Sequence, residues 1–200
     1  EPLLREALSL RRKALGDDHP HTAVSLNKLA LLLRTRGAQS EARALFEEAL
    51  RSRERALGRD HPHLAASRNN LALMLASDGE HEQAIALYQG AIESWRTARG
   101  SDHPDVAQGL VNLAASLMEV GRLAEAAESC DQALGILSTP TPRRAQALLV
   151  SGRVARRDGQ LELAERRFAE SLEVLVHTLG PDHRATATAR ADLGACYLEL

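Results

Sequence analysis

Residues 16–22 read GDDHPHT, and the same words return three times. GRDHPHL begins at Gly58, GSDHPDV at Gly100 and GPDHRAT at Gly180. From His19 to His61 is 42 residues, from His61 to His103 another 42, and from His103 to His183 80. One copy is missing: at 138–146, STPTPRRAQ, a Pro-rich linker four residues shorter takes its place. A fixed period of this length marks an array of stacked supersecondary units, so the period has to be read before any single motif.

A second marker keeps the same count. Gly37, Gly79, Gly121 and Gly159 are spaced 42, 42 and 38 apart, each between two apolar helical runs. Twelve residues separate Ala30 from Ala42, Ala72 from Ala84, Ala114 from Ala126 and Gly152 from Ala164. Phe46, Tyr88, Cys130 and Phe168 follow four residues later, then Ala49, Ala91, Ala133 and Ser171.

Each unit reads as two helices. Leu26, Leu29, Ala30 and Leu33 fall at i, i+3, i+4 and i+7, one apolar stripe of a 3.6-residue helix. Small Ala30 and Ala42 face each other and let the pair approach closely. Gly37 ends the first helix, where a left-handed residue is wanted. Ser40 is expected to N-cap the second helix, which runs about five turns to Gly58. The fourth unit departs, with Ser151 and Ala155 where the others carry leucine.

GDDHPHT then reads as punctuation. Gly16 ends a helix, Asp18 offers the capping oxygen to the next, and Pro20 falls in the first turn, where no donor is lost. The histidine is expected to pack between linkers or bond a backbone carbonyl. A metal site needs three or four convergent ligands. His19 and His21 form an H-x-H pair, as do His61 and His63, but Asp105 and Ala185 break it later, so no metal is expected.

Net charge is −2 and aromatics make up 2%, which argues against nucleic-acid binding. No apolar run approaches the roughly 20 residues that span a bilayer, and residues 1–200 contain no stretch that reads as a secretory leader, though one could precede them. Cys130 and Cys196 make no disulfide framework, which favours a reducing, cytoplasmic setting. None of H-E-x-x-H, G-x-x-x-x-G-K-[ST], G-x-S-x-G or C-x-x-C occurs, so no enzyme and no cofactor are expected. Charge is uneven: residues 78–136 carry ten acids against three arginines, and 143–167 seven arginines against three acids. Trp95, aligned with Arg11 and Arg53, is expected to lie off the repeat core, covering a local gap or facing a partner on the outer side.

LNKLALLLRTRGAQSEARALFEEAL (26–50) and RNNLALMLASDGEHEQAIALYQGAI (68–92), each followed by a helix extension and a G-x-D-H-P linker, resemble the tetratricopeptide repeat. The 42-residue spacing resembles the variety found in kinesin light chains. The resemblance implies an all-α fold, a right-handed α-solenoid of stacked antiparallel helix hairpins with a concave face. The expected layout is a second helix at 1–15, hairpins at 20–57, 62–99, 104–138 and 142–179, and a first helix at 184–200. No polar capping helix closes either end, so a segment of a longer protein is expected, as is self-association through the uncapped ends.

If the Leu26 stripe packs inward, the neighbouring stripe faces the groove. It carries Asn27, Lys28, Leu31 and Arg34, then Asn69, Asn70 and Leu73, then Asn112, and finally Arg153 and Arg157. Asparagine can pair with a peptide main chain whatever its side chains, and the cations favour an acidic segment. In kinesin light chain relatives the asparagine before Leu-Ala lines the cargo-peptide groove, which the resemblance carries to Asn70 and Asn112 but not to Lys28 or Val150. The expected function is a protein-interaction scaffold holding a peptide or partner domain, within a larger signalling or regulatory protein. The alternative is an intramolecular sensor arm of a multidomain ATPase, kinase or transcription regulator.

Overall fold

The structure, a computed structural model, describes residues 1–58, 61 and 64–200. Arg59, Asp60, Pro62 and His63 of the second linker, and with them the expected hairpin start at 62, lie outside the described residues. Ten α-helices and no strand are present among the described residues: α1 (Pro2–Leu15), α2 (Pro20–Thr35), α3 (Gln39–Leu57), α4 (Ala65–Ser77), α5 (His81–Arg99), α6 (Pro104–Glu119), α7 (Leu123–Ile136), α8 (Pro142–Arg157), α9 (Leu161–Leu179) and α10 (Arg184–Tyr197). They form two compact units, Glu1–Gly100 and Ser101–Leu200. In the first unit α2 pairs with α3 and α4 with α5, while α1 packs on α2 and α3 on α4. In the second, α6 pairs with α7 and α8 with α9, and α10 packs on α9 and α8.

The hairpin turns share one hydrogen-bond pattern. At Gly37, φ is +80°, Gly37 N–H bonds Arg34 O at 3.1 Å and Ala38 N–H reaches back to Leu33 O at 3.0 Å. This closes the helix end with a left-handed residue that only glycine adopts without strain. Glu80, Arg122 and Gln160 repeat the long bond, to Leu75, Leu117 and Ala155. Ser40 does not cap α3: the helix begins at Gln39 after Ala38, with no side-chain cap, because the turn pattern already fixes where the second helix starts.

Packing within each hairpin follows the spacing. Ala30, Ala72, Ala114, Ala42, Ala84, Ala126 and Ala164 are fully buried, and so are Phe46, Cys130 and Phe168, with Tyr88 at 1%. Burying one such large side chain contributes roughly 1.5–3 kcal/mol relative to leaving it in water. In α8 the small position is Gly152, and a Cβ there would stand 2.5 Å from Phe168 Cε1. The glycine is what admits the full ring in that hairpin.

The linkers correct the expected caps. His19, not Asp18, is the N-cap of α2: its backbone is extended (φ −76°, ψ 138°) and its Nδ1 accepts the His21 N–H at 3.1 Å. His103 does the same for Asp105 and His183 for Ala185, both at 3.1 Å. At His19 and His103 the following proline pushes the residue before it into extended backbone, which is the N-cap conformation; His183, followed by Arg184, adopts the same conformation without a proline. In each, Nδ1 therefore accepts a backbone N–H and does not bond a carbonyl. Asp18 instead receives the Arg55 guanidinium at 2.7 Å, which holds that guanidinium above its ordinary pKa. Thr22 and Thr186 complete the linkers, each donating to the carbonyl of the preceding helix-ending glycine at 2.8 Å.

The short linker is built differently. α7 has 14 residues where α3, α5 and α9 have 19, so the lost residues come from its C-terminal turns. Thr141 caps α8, its Oγ1 accepting the Arg144 N–H at 3.3 Å. Arg144 donates to Leu137 O at 2.7 Å and Leu134 O at 3.3 Å and pairs with Glu170 at 2.7 Å. One side chain thus ties the end of α7 and the start of α8 to the middle of α9.

Candidate functional site

Each unit carries a cleft on the side of its first helices, and the two clefts use the same register. In the first unit, about 500 Å³ lies between Pro20, His21 and Val24 of α2, Ala66 of α4, Arg53 and Leu57 of α3, and Trp95, Ala98 and Arg99 of α5. In the second, about 330 Å³ is lined by α8 (Pro142, Gln146, Leu149, Val150, Arg153), α9 (Leu175, Leu179) and α10 (Ala185, Thr188). By repeat register Pro142 stands for Pro20, Gln146 for Val24, Leu175 for Arg53, Leu179 for Leu57 and Thr188 for Ala66. The long second helices cause this: their last turns project past the hairpin and roof the gap between successive first helices.

The chemistry of the two clefts differs. The first has an apolar floor of Val24, Leu57, Ala66 and Trp95 with Arg53, Arg99 and His21 around it. Arg53 is half-buried; it donates to Ser67 Oγ at 2.9 Å, and burial lowers its pKa from the ordinary arginine value. Arg11 makes the equivalent bond to Ser25 Oγ, at 2.6 Å, one repeat earlier. The second cleft is more aliphatic, with Leu175 where the first has Arg53.

Trp95 corrects its expected placement. It is 7% exposed and lies against the α2 and α4 side of its unit rather than off the core on an outer face. The α5 extension turns this position toward the first helices, as it does Arg53 on α3. The alignment of Trp95 with Arg11 and Arg53 was the available signal.

The residues of the expected groove stripe are distributed as follows. Asn27 is 8% exposed and its Nδ2 donates to Ser67 Oγ at 3.3 Å, so it bridges α2 and α4. Lys28 and Leu31 are exposed on α2, and Arg34 is half-buried. Asn69, Asn70 and Leu73 are half-buried on α4. Asn112 on α6 accepts the Gln108 Nε2–H at 3.2 Å. Arg153 lines the second cleft while donating to Asp192 at 2.7 Å, and Arg157 is paired with Glu119 at 3.4 Å. Of these ten residues, Arg153 alone lines either cleft.

The uneven charge is partly consumed in ion pairs within and between hairpins. In the second unit Arg167 meets Asp131 at 3.4 Å, Arg156 meets Glu199 at 3.9 Å, and Arg144, Arg153 and Arg157 are paired as above. In the first, Arg43 on α3 joins Glu47 at 3.1 Å, Glu80 and, at 3.7 Å, Asp78. Among the described residues no three His, Cys, Asp or Glu side chains gather as metal ligands, and no helix is long and apolar enough to cross a membrane. The His19 and His21 rings lie 5.2 Å apart, with the His19 Nδ1 engaged in its cap.

Consecutive antiparallel hairpins with buried small-and-large pairs define a repeat protein of the helical-hairpin class. Profiles of the tetratricopeptide repeat match residues 1–21 and 22–63, and again 63–139 and 143–200. The chain belongs to the tetratricopeptide repeat family, and its fold is the all-α, stacked-hairpin solenoid of that family.

Solved structures agree on the fold. The nearly identical TPR-like repeats of the kinesin light chain type from Podosopora anserina share 23% identity, with a TM-score of 0.77 over 90% of this chain and 87% of theirs. BtubC (BKLC) from P. vanneervenii gives 23% and 0.79 over 88% of this chain and 72% of its own. A chain of the APC/C hetero-tetramer Cut9–Hcn1 gives 20% and 0.73, over 98% of this chain but 33% of its own. No curated protein matches in sequence.

Proposed function

We propose that the chain is a non-enzymatic protein-interaction module, working in the cytoplasm within a larger signalling or regulatory protein. It holds a peptide segment or partner domain along its first helices. Tetratricopeptide repeats generally mediate protein–protein contacts. The observation that carries the reading here is the cleft found at one register in both units, roofed by the second-helix extensions. The Arg53 and Arg99 guanidinium groups around the first cleft favour an acidic segment, since guanidinium holds carboxylate by two parallel bonds. On this reading Asn70 and Asn112, which line neither cleft, offer main-chain pairing elsewhere along the first helices, with Lys28, Leu31, Arg34, Asn69 and Leu73 on the first helices α2 and α4.

The test is capture of an immobilised panel of acidic 12-residue peptides, with charge-neutral versions as controls. The combined Asn70→Ala and Asn112→Ala variant should bind about tenfold more weakly, the loss of one or two hydrogen bonds to a bound chain, with an unchanged helical circular dichroism signal. Equal capture of acidic and neutral peptides, or undiminished affinity in the variant, argues against the proposal.

A further inference from the structure

His19, His103 and His183 open α2, α6 and α10 with the same bond. In each the backbone is extended and Nδ1 accepts the N–H two residues on, from His21, Asp105 and Ala185, at 3.1 Å. A backbone N–H can only donate, so the bond itself fixes the ring: Nδ1 offers its lone pair and the neutral imidazole carries its proton on Nε2. A second proton has only Nδ1 to go to. There it turns the acceptor into a donor facing a donor. It also sets a positive charge at the helix end where unbonded N–H groups already gather. An imidazolium therefore cannot make this cap.

The other helices lack the property. α8, whose linker has no Asp-His, is capped by the Thr141 hydroxyl, which accepts the Arg144 N–H at 3.3 Å and takes up no proton in the histidine range. α3, α5, α7 and α9 begin without a side-chain cap. Among the described residues the titratable caps thus fall on α2, α6 and α10 alone. His19 and His103 are half-buried and His183 is exposed, so water reaches every ring.

The charges around the three rings grade the effect. At His103 the Asp105 carboxylate stands 3.7 Å from Nδ1 and attracts a protonated ring, which offsets part of the lost cap. At His19 the neighbouring carboxylates are engaged, Asp17 by Arg12 of α1 at 3.2 Å and Asp18 by Arg55 of α3 at 2.7 Å. The His21 ring lies 5.2 Å away, and Arg11 of α1 donates to His21 O at 3.1 Å. Beside His183 stand Asp182 and Arg184, with the Arg190 guanidinium donating to Pro181 O at 3.0 Å.

We propose that the Asp-His linkers form an acid-sensitive device: a proton on His19, His103 and His183 releases the first turns of α2, α6 and α10, while α8 holds. The unfolded chain takes up histidine protons near the ordinary value of about 6.5. The folded caps exclude those protons, so their contribution is whole above that pH and is lost progressively as pH falls below it. The device is independent of what binds along the first helices.

The test is urea unfolding of the 200-residue chain, followed by circular dichroism at pH 7.5 and pH 5.5. The unaltered chain should have the lower midpoint at pH 5.5. In His19→Asn/His103→Asn/His183→Asn each cap keeps an acceptor that binds no proton in this range. Its midpoint at pH 7.5 should match that of the unaltered chain, and its fall on acidification should be less than half as large. His177→Asn, in the last turn of α9 and outside every cap, should leave the fall undiminished. Nitrogen-15 spectra of the unaltered chain give a second reading that needs no variant. At pH 7.5 the three rings should be neutral with the proton on Nε2, and the N–H signals of His21, Asp105 and Ala185 should shift as those rings protonate while that of Arg144 stays. Three results overturn the proposal: an unaltered chain whose midpoint does not fall, a triple variant that falls as far as the unaltered chain, or cap rings that carry their proton on Nδ1 at pH 7.5.

Discussion

The Nδ1 of His103 accepts the backbone N–H of Asp105 at 3.1 Å, so the helix is capped by an imidazole rather than by the carboxylate beside it. Replacing a helix N-cap by alanine costs about 0.5–2 kcal/mol. His103→Ala should therefore lower stability by about 1 kcal/mol in urea unfolding, and His103→Asn, which restores an acceptor, should lose much less. Asp102→Ala, an exposed neighbour, should stay within about 0.5 kcal/mol. A larger loss for Asp102→Ala than for His103→Ala would return the cap to the aspartate.

The contact of Gly152 with Phe168 fixes the fourth hairpin. Gly152→Ala should destabilise by about 1–3 kcal/mol, because the added methyl meets a ring with nowhere to go. With Phe168→Leu in the same chain the methyl should cost markedly less, giving a coupling of order 0.5–3 kcal/mol in a double-mutant cycle. Additive losses would mean that the two positions do not touch.

Arg144 substitutes for the absent Asp-His-Pro linker. Its bonds to two carbonyls and one carboxylate are charge-assisted, and losing such a bond costs about 1.5–3 kcal/mol. Arg144→Ala should fall in or just above that range. Arg144→Lys should recover less than half, since a single ammonium cannot span all three acceptors. The denaturant midpoints of the two variants decide it.

Burial pushes the Cys130 thiol up to about 12 and raises that of Cys196 as well. A thiol reagent should therefore find neither cysteine in the folded chain at pH 8 and both in denaturant. The folded state holds the Cys130 proton more tightly than the unfolded chain does. Its contribution is whole below about pH 9 and falls as pH rises from there towards 12, so unfolding midpoints should decline on that side. A rapidly reacting Cys130 at neutral pH would contradict the burial.

The period, the hairpin turns and the buried Ala-and-aromatic pairs were all legible in the sequence, because each follows from one spacing repeated in register. The caps were misread for a specific reason. Aspartate is the commoner cap, yet the backbone restriction before proline selects the residue next to it, and that rule was readable at His19. Trp95 was harder. Its side is set by how far α5 extends past its hairpin, which depends on packing between repeats. Asn27 shows the limit of stripe counting: α2 buries Thr22, Ala23, Ser25, Leu26, Asn27, Leu29, Ala30 and Leu33. A helix flanked on both sides leaves its packing stripe and its open stripe adjacent, and no heptad reading separates them.

The three-residue turns that join each first helix to its second have a kinetic consequence. Partners in contact are close in sequence, so little loop entropy is lost before the first apolar contacts form. Each hairpin can nucleate by itself and recruit its neighbour. A substitution inside one hairpin should accordingly alter hydrogen-exchange protection in that hairpin and those touching it, leaving distant helices of the same unit to exchange at their former rates.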